Sequence, residues 1–405
     1  MKAWVLHDIG DIRFEEVAAP KPAAGEVLIR VGAVGICGSD IPRVYDTGAH
    51  KMPLIPGHEF AGEVVGTGEG VDEEWINKRV GVFPLIPCGA CSQCKANRYE
   101  LCRNYDYIGS RRDGAFAEYV TVPAANLIEL PEGVLYDVAA MSEPMAVAVH
   151  AIRRVLDIGS PLGNRECVSL ETCGKPLGEN ENKDISIAVY GLGTIGMFVT
   201  MFLKAAGYNN LILIGNKESQ KRKIISMGIS EEHYFDNSGN SDTVQLQNKD
   251  TSAQKKSTMN VIEQIRNLGG ADVVFECVGR SQTYADAIDI AAPMGRVMLV
   301  GNPYSNMTLP RNIYWKILRN QLTVMGTWNS SFSIGNMISA KPTEDHPHTD
   351  APDDDWHYVY KLLSEGAIHP DCFITHRYSL KDLETGLKIM RDKSEEYVKI
   401  IVKAN

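Results

Sequence analysis

The sequence predicts an α/β molecule in two parts, a β-rich, barrel-like unit and a doubly wound parallel sheet, and three observations carry that prediction. Up to about residue 145 the chain reads as short alternating strands punctuated by Gly and Pro, in VLIRVGAVG, AGEVVGTGEGV, RVGVFPLIP and AEYVTVPAANLIEL, the pattern of an all-β unit. From MAVAVHAIRRVL onward, helical periodicity alternates with the apolar strands SIAVYG, LILIG, ADVVFECVG and GRVMLVG, as βαβ units around a parallel sheet require. The first of these strands runs straight into a glycine-rich turn and a helix.

Within the first part, PCGACSQCKANRYELC places Cys88, Cys91, Cys94 and Cys102 on one short loop. Four sulfurs at such spacing can wrap one ion, and a closed tetrahedral thiolate site favours Zn²⁺ and contributes to folding rather than to chemistry. An iron–sulfur cluster usually shows other intervals, often ending in Cys-Pro, and a reducing compartment would rarely keep two disulfides. Upstream, GICGSDIPRVYDTGAHKMPLIPGHEFAG contributes Cys37 and the pair His58-Glu59, and downstream MSEPMAVAVH contributes Glu143. A thiolate, an imidazole and a carboxylate from separated segments make a mixed site, and mixed three-ligand sites keep a position open for water or substrate. Cys37, His58 and Glu143 are therefore the expected ligands of a catalytic zinc. Glu59 reads as an alternate ligand or as a partner behind them, the second preferred because adjacent residues seldom both reach one metal. Taken singly, Cys37 would more often be a small buried hydrophobe, His58 a satisfied structural histidine, and Glu143 a helix N-terminal charge following Ser142.

The third element is SIAVYGLGTIGMFVTMFLKAAG. Gly191, Leu192, Gly193, Thr194, Ile195 and Gly196 form the strand–turn–helix in which glycines admit a pyrophosphate to the helix N-terminus. The next strand ends LILIGNKESQKR. Gly215 stands where an acidic side chain would hydrogen-bond the adenosine ribose of NAD, followed by Asn216, the cation Lys217 and, further on, Arg222. No carboxylate there opposes a 2′-phosphate, so NADP(H) is expected over NAD(H).

These motifs together resemble the zinc-dependent medium-chain alcohol dehydrogenases, in the polyol branch that includes the sorbitol dehydrogenases, over nearly the whole chain. The resemblance implies a GroES-like barrel as catalytic domain, residues 1–145 and 323–405, with a Rossmann cofactor domain, residues 146–322, between its two parts. It implies two zincs per chain, one catalytic and one structural, and a homodimer or homotetramer. Ser39 matches the hydroxyl that starts a proton relay in the family, and Asp40 the carboxylate that orients a liganding histidine; each could also be a turn residue of GSD. The expected chemistry is removal of a hydride from a zinc-activated secondary alcohol to the nicotinamide. GICGSDIPR, GAHKMPLIPGHEF, YIGSRRDGAFAEY and KILRNQLTVMGTW most resemble the polyol-phosphate dehydrogenases of that branch, and the resemblance implies a sugar-alcohol phosphate, such as galactitol 1-phosphate, as substrate. Arg43 replaces the substrate-facing tyrosine of sorbitol dehydrogenases and could grip that phosphate; Arg111, Arg112, Lys316 and Arg319 are weaker positions for the same role. The competing readings are a dehydrogenase of an unphosphorylated polyol or another secondary alcohol such as threonine, and a zinc-stabilised protein that binds nucleotide without turnover.

Composition agrees with this. A chain of 405 residues, 44% hydrophobic, can bury a large core and suggests two or three domains. A net charge of −10 argues against nucleic acid, whose binders present basic stripes. No apolar run is long enough to span a bilayer and MKAWVLHDIG lacks the pattern of a secretion signal, so a soluble cytoplasmic protein is expected. Cys167, Cys173, Cys277 and Cys372 are then expected to be reduced. Three stretches, 160–184, 237–258 and 339–355, the last with His346 and His348, read as surface loops.

Overall fold

The computed structural model describes residues 1–156, 184–240, 260–333 and 354–404. The three expected surface loops lie almost wholly outside the described residues, together with Cys167, Cys173, His346 and His348. Two compact units result, one built from Met1–His150 and from Trp328 onward, the other from Ala151 to Thr327.

In the second unit six strands form one all-parallel sheet. Its spatial order is Tyr234–Asp236, Leu211–Gly215, Ile187–Tyr190, Ala271–Glu276, Ala291–Leu299, Thr323–Gly326, or 3-2-1-4-5-6 in chain order, the doubly wound arrangement. Ile187–Tyr190 and Leu211–Gly215 are buried at every position, which explains their uninterrupted apolar runs: a parallel sheet covered by helices on both faces has no solvent side to alternate toward. The order reverses between Ile187–Tyr190 and Ala271–Glu276. The glycine loop leaves the sheet at that point and continues into the helix Thr194–Ala205. The junction expected at 322 falls too early, because Thr323–Gly326 pairs with Ala291–Leu299 and completes this sheet.

The first unit is organised around the strand Glu26–Gly35. It pairs antiparallel with Glu59–Thr67, with Tyr119–Pro123 and with the C-terminal strand Lys399–Lys403. Arg79–Val82 and Leu127–Glu129 extend the sheet on one side and Ile374–Ser379 on the other. A single core runs through it, with Val27, Ile29, Val31, Phe60, Val64, Val80 and Val122 packed with Leu383, Leu387, Ile400 and Val402. The C-terminal segment thus returns to the unit in which the chain begins. Register brings three strands to a common end: Gly35 lies opposite Glu59 on one neighbour and opposite Ile401 on the other. Residues just past Gly35, around Glu59 and just before Ile401 therefore meet at one end of the sheet.

Candidate functional site

Cys37 follows the strand Glu26–Gly35, and the helix Asp40–Tyr45 starts three residues later. The buried Asp40 folds back so that its Oδ2 accepts from the Cys37 N–H at 3.0 Å, while Ser39 Oγ lies 3.3 Å from Cys37 Sγ. Glu59 begins the neighbouring strand, and His58 immediately precedes it. Donor atoms of Cys37, His58 and Glu59 all lie within 4.8 Å of one another.

Of the two glutamates, it is Glu59, the alternate ligand, whose carboxylate joins the cluster. Glu59 stands with the thiol and the imidazole, whereas Glu143, at the start of the helix Ser142–Arg153, accepts from Tyr107 OH at 3.3 Å and is not one of the three. Strand alternation begins only at Glu59. His58 lies in irregular chain behind Gly57, whose φ of +98° is natural to glycine, so neighbouring side chains here are not obliged to point apart. Space for Glu59 comes from Gly35, where a Cβ would lie 2.5 Å from Glu59 Oε2 and 2.8 Å from Lys399 Cε. Across that gap Glu59 forms a buried ion pair with Lys399, which also donates to Ile36 O at 3.1 Å. Sequence reasoning missed Lys399, although one cation inside the apolar run YVKIIV was a signal; Tyr107 was missed too.

The electrostatics suit a cation. Burial opposes charge on His58, yet the neighbouring Asp40 and Cys37 raise its pKa well above the ordinary value. Its Nδ1 lies 3.6 Å from Asp40 Oδ1 and has no closer hydrogen-bond partner among the described residues. Burial likewise pushes Asp40 up, but His58, Arg43 and the Cys37 N–H together hold it below the usual range. Glu143 is raised to about 7, by burial first and by Glu59 as well, against His58 and Lys399. A thiol, an imidazole and a carboxylate with donor atoms within 4.8 Å of one another fit a divalent ion bound by a mixed donor set.

Arg43 is at this site but does not stand free in it. Its guanidinium pairs with Asp40 one helical turn back, and its side chain is 15% exposed. The other basic positions are engaged elsewhere. Arg112 pairs with Glu26 at 2.6 Å, Arg111 lies over the ring of Tyr105, and on a helix of the other unit Lys316 pairs with Asp289 while Arg319 lies over Trp315.

The four lobe cysteines converge as the spacing predicts. Sulfur–sulfur distances are 3.5 Å for Cys91–Cys94 and 4.0 Å for both Cys88–Cys94 and Cys91–Cys102, close to the roughly 3.8 Å edge of a tetrahedron with Zn–S bonds of about 2.3 Å. Backbone N–H groups of Arg103 and Cys94 bring the Cys91 thiol down to about 6, while burial and the other sulfurs push Cys94 up to about 12. Crowded thiols that split in this way are ones a central dication would satisfy.

In the other unit the glycine loop has the shape its sequence implies. Gly191 has φ +95°, and a Cβ there would meet Val278 at 2.2 Å; a Cβ on Gly196 would meet Gly191 O at 2.0 Å; Gly193, which precedes the helix, faces open space. One glycine makes the turn, one lets the helix close on the strand, and one leaves room for a pyrophosphate above Leu192, Thr194 and Ile195. Gly215 ends its strand, and Asn216 and Lys217 lead into the helix Glu218–Ser226.

A family model for the alcohol dehydrogenase GroES-like domain matches residues 23–132, and one for zinc-binding dehydrogenase matches residues 194–340. The chain belongs to the zinc-dependent medium-chain alcohol dehydrogenases, a family of NAD(P)-dependent alcohol oxidoreductases, with a GroES-like part and a Rossmann-type part. It is 29% identical to galactitol 1-phosphate 5-dehydrogenase of Escherichia coli (strain K12) over 389 residues, 96% of each chain, and 26% identical to sorbitol dehydrogenase of Bacillus subtilis (strain 168) over 412 residues, covering 100% of this chain and 98% of that one. Among solved structures, galactitol-1-phosphate dehydrogenase from Escherichia coli superposes with a TM-score of 0.76 at 27% identity, covering all of both chains. A zinc-binding dehydrogenase from Sinorhizobium meliloti 1021 bound to NADP gives 0.74 at 26% identity, covering 99% of this chain and 98% of that one. Among the described residues no helix is long and apolar enough to cross a membrane.

Proposed function

We propose that the protein interconverts a sugar-alcohol phosphate, of the kind represented by galactitol 1-phosphate, and the corresponding keto-sugar phosphate, with NADP(H) as hydride carrier. The observation that carries this reading is the convergence of Cys37, His58 and Glu59 on one point. These three would hold a catalytic zinc, with Glu143 facing them, and Cys88, Cys91, Cys94 and Cys102 a structural one. When bound, the zinc supplies Lewis acidity to a substrate hydroxyl and the nicotinamide accepts the hydride.

The chain's own groups do the rest. Asp40 fixes Cys37 through its N–H and faces His58, so it orients two ligands at once. Lys399 holds Glu59 in place. Ser39 Oγ, beside the Cys37 sulfur, accepts the proton that leaves the substrate hydroxyl as it passes its own proton on toward solvent. Glu143, with its raised pKa, and Tyr107 close the polar side of the pocket. Arg43 faces the phosphate with the part of its guanidinium not engaged by Asp40.

Support for a phosphorylated polyol comes from the galactitol 1-phosphate 5-dehydrogenase relative and from a cation beside the ligand cluster. Support for NADP(H) comes from Gly215 and Lys217 and from the NADP-bound neighbour. We place the enzyme in the cytoplasm as a homodimer or homotetramer. The test is a panel of sugar alcohols with and without phosphate, read with both nicotinamides. The reading predicts the highest kcat/KM for a phosphorylated polyol with NADP⁺. A preference for the free polyol, comparable to that of a sorbitol dehydrogenase, would overturn the phosphate.

A further inference from the structure

We propose that Gln220 governs the choice between the two nicotinamide dinucleotides, by occupying the place from which an acidic side chain at the end of Leu211–Gly215 would read the ribose. This rests on the reading of the glycine loop as the nucleotide site. Gly215 has no side chain, but the space beside it is full: a Cβ would lie 2.6 Å from Gln220 Oε1, 2.7 Å from Tyr234 Cε2 and 2.9 Å from Tyr234 OH.

Gln220 is the third residue of the helix Glu218–Ser226, and its carboxamide turns back over the helix start. Oε1 accepts from Asn216 N at 2.9 Å and Lys217 N at 3.2 Å, and Nε2 donates to Leu192 O at 3.1 Å. Tyr234 OH accepts from Lys217 N at 3.1 Å and donates to Lys217 O at 3.0 Å. One side chain therefore ties the loop that receives the pyrophosphate to the turn that receives the adenosine ribose. The tie is neutral, so the end of Leu211–Gly215 itself presents no carboxylate against a 2′-phosphate beside Lys217.

Two consequences separate this from the simple motif rule. A carboxylate introduced by Gly215→Asp cannot take up its usual position without evicting Gln220 and Tyr234 and breaking the bonds that shape the turn. A carboxylate introduced by Gln220→Glu meets no such obstacle. Glu at the third helical position is the ordinary acceptor for the N-cap N–H, so it keeps the bonds to Asn216 and Lys217, sets a second carboxylate oxygen against Leu192 O where Nε2 had donated, so that the two must move apart, and places a negative charge against the 2′ position.

The test uses the full chain with Gln220→Glu, Gln220→Ala and Gly215→Asp. It reads Kd by calorimetry for NADP⁺, NAD⁺, adenosine 2′,5′-bisphosphate and 5′-ADP, with Tm measured alongside. Gln220→Glu is expected to move the NADP⁺ to NAD⁺ affinity ratio toward NAD⁺ by roughly tenfold or more, with the same shift between the two adenosine fragments. Gln220→Ala is expected to weaken all four ligands without moving the ratio, and Gly215→Asp to lower Tm and weaken both dinucleotides together. The proposal falls if Gln220→Glu leaves the ratio unchanged, if Gln220→Ala moves it as far, or if Gly215→Asp alone reverses it in a protein of normal Tm. A wild type that binds NAD⁺ the more tightly defeats the NADP reading and still leaves the Gln220→Glu shift to decide this one. A wild type that binds none of the four removes the site and the proposal with it.

Discussion

Glu59 is enclosed among a thiol, an imidazole and the ammonium of Lys399, with both members of the ion pair about 2% exposed. Removing one partner of a buried pair leaves the other uncompensated, at about 3 to 5 kcal/mol. Lys399→Met should destabilise chelator-treated protein by that order in urea unfolding, and Lys399→Arg by much less. Restoring zinc should recover part of the loss, because a dication also compensates Glu59; a metal-free Lys399→Met as stable as wild type would show the pair to be unimportant. Arg43 needs a comparison of substrates rather than an absolute loss, since its guanidinium also neutralises Asp40. Arg43→Ala should lower activity on any polyol and cost the phosphorylated one a further ~1.5 to 3 kcal/mol in kcat/KM. Equal losses on both would place Arg43 in support of Asp40 alone. Cys37 and His58 were legible from residue type and glycine context. The order of the two glutamates was not, because it depends on where strand alternation starts and on a lysine 340 residues away.

At the scale of elements, the cysteine lobe and the glycine loop were the most legible, since each is a local device whose spacing is its geometry. Cys91 precedes the short helix Ser92–Lys95, and its sulfur receives N–H groups from two sides. Cys91→Ser should therefore open a closed site, reducing bound zinc and lowering Tm, whereas Cys37→Ser should reduce zinc and turnover with a smaller change in Tm. Metal analysis and thermal unfolding on the same preparations decide it: equal loss of fold in both variants contradicts the division of roles. The strand Thr323–Gly326 falls on the far side of the expected junction because a short strand of intermediate burial carries little sequence signal, and only its pairing with Ala291–Leu299 assigns it. The filling of the space beside Gly215 was equally hidden. A glycine in a motif says that a side chain is absent, not what has replaced it.

The whole molecule combines a unit that carries the candidate metal ligands with one that carries the glycine loop, and the former is completed by strands from the far end of the chain. The sequence could show the change from Gly/Pro-punctuated strands to βαβ alternation, but the return of Lys399–Lys403 to Glu26–Gly35 was available only through family resemblance, because long-range pairing leaves no local trace. The central claim is that alcohol oxidation occurs at the Cys37, His58, Glu59 cluster and requires the metal that this cluster holds. Its most direct measurement is sugar-alcohol-phosphate-dependent reduction of NADP⁺ by wild-type protein as purified, after treatment with a chelator that empties the open site, and after zinc is returned, with zinc per chain measured at each stage. The account predicts two zincs at the start, loss of activity in step with loss of one of them while the fold persists, and recovery of both on adding zinc. Undiminished reduction of NADP⁺ by protein that retains only the four-cysteine zinc would contradict it.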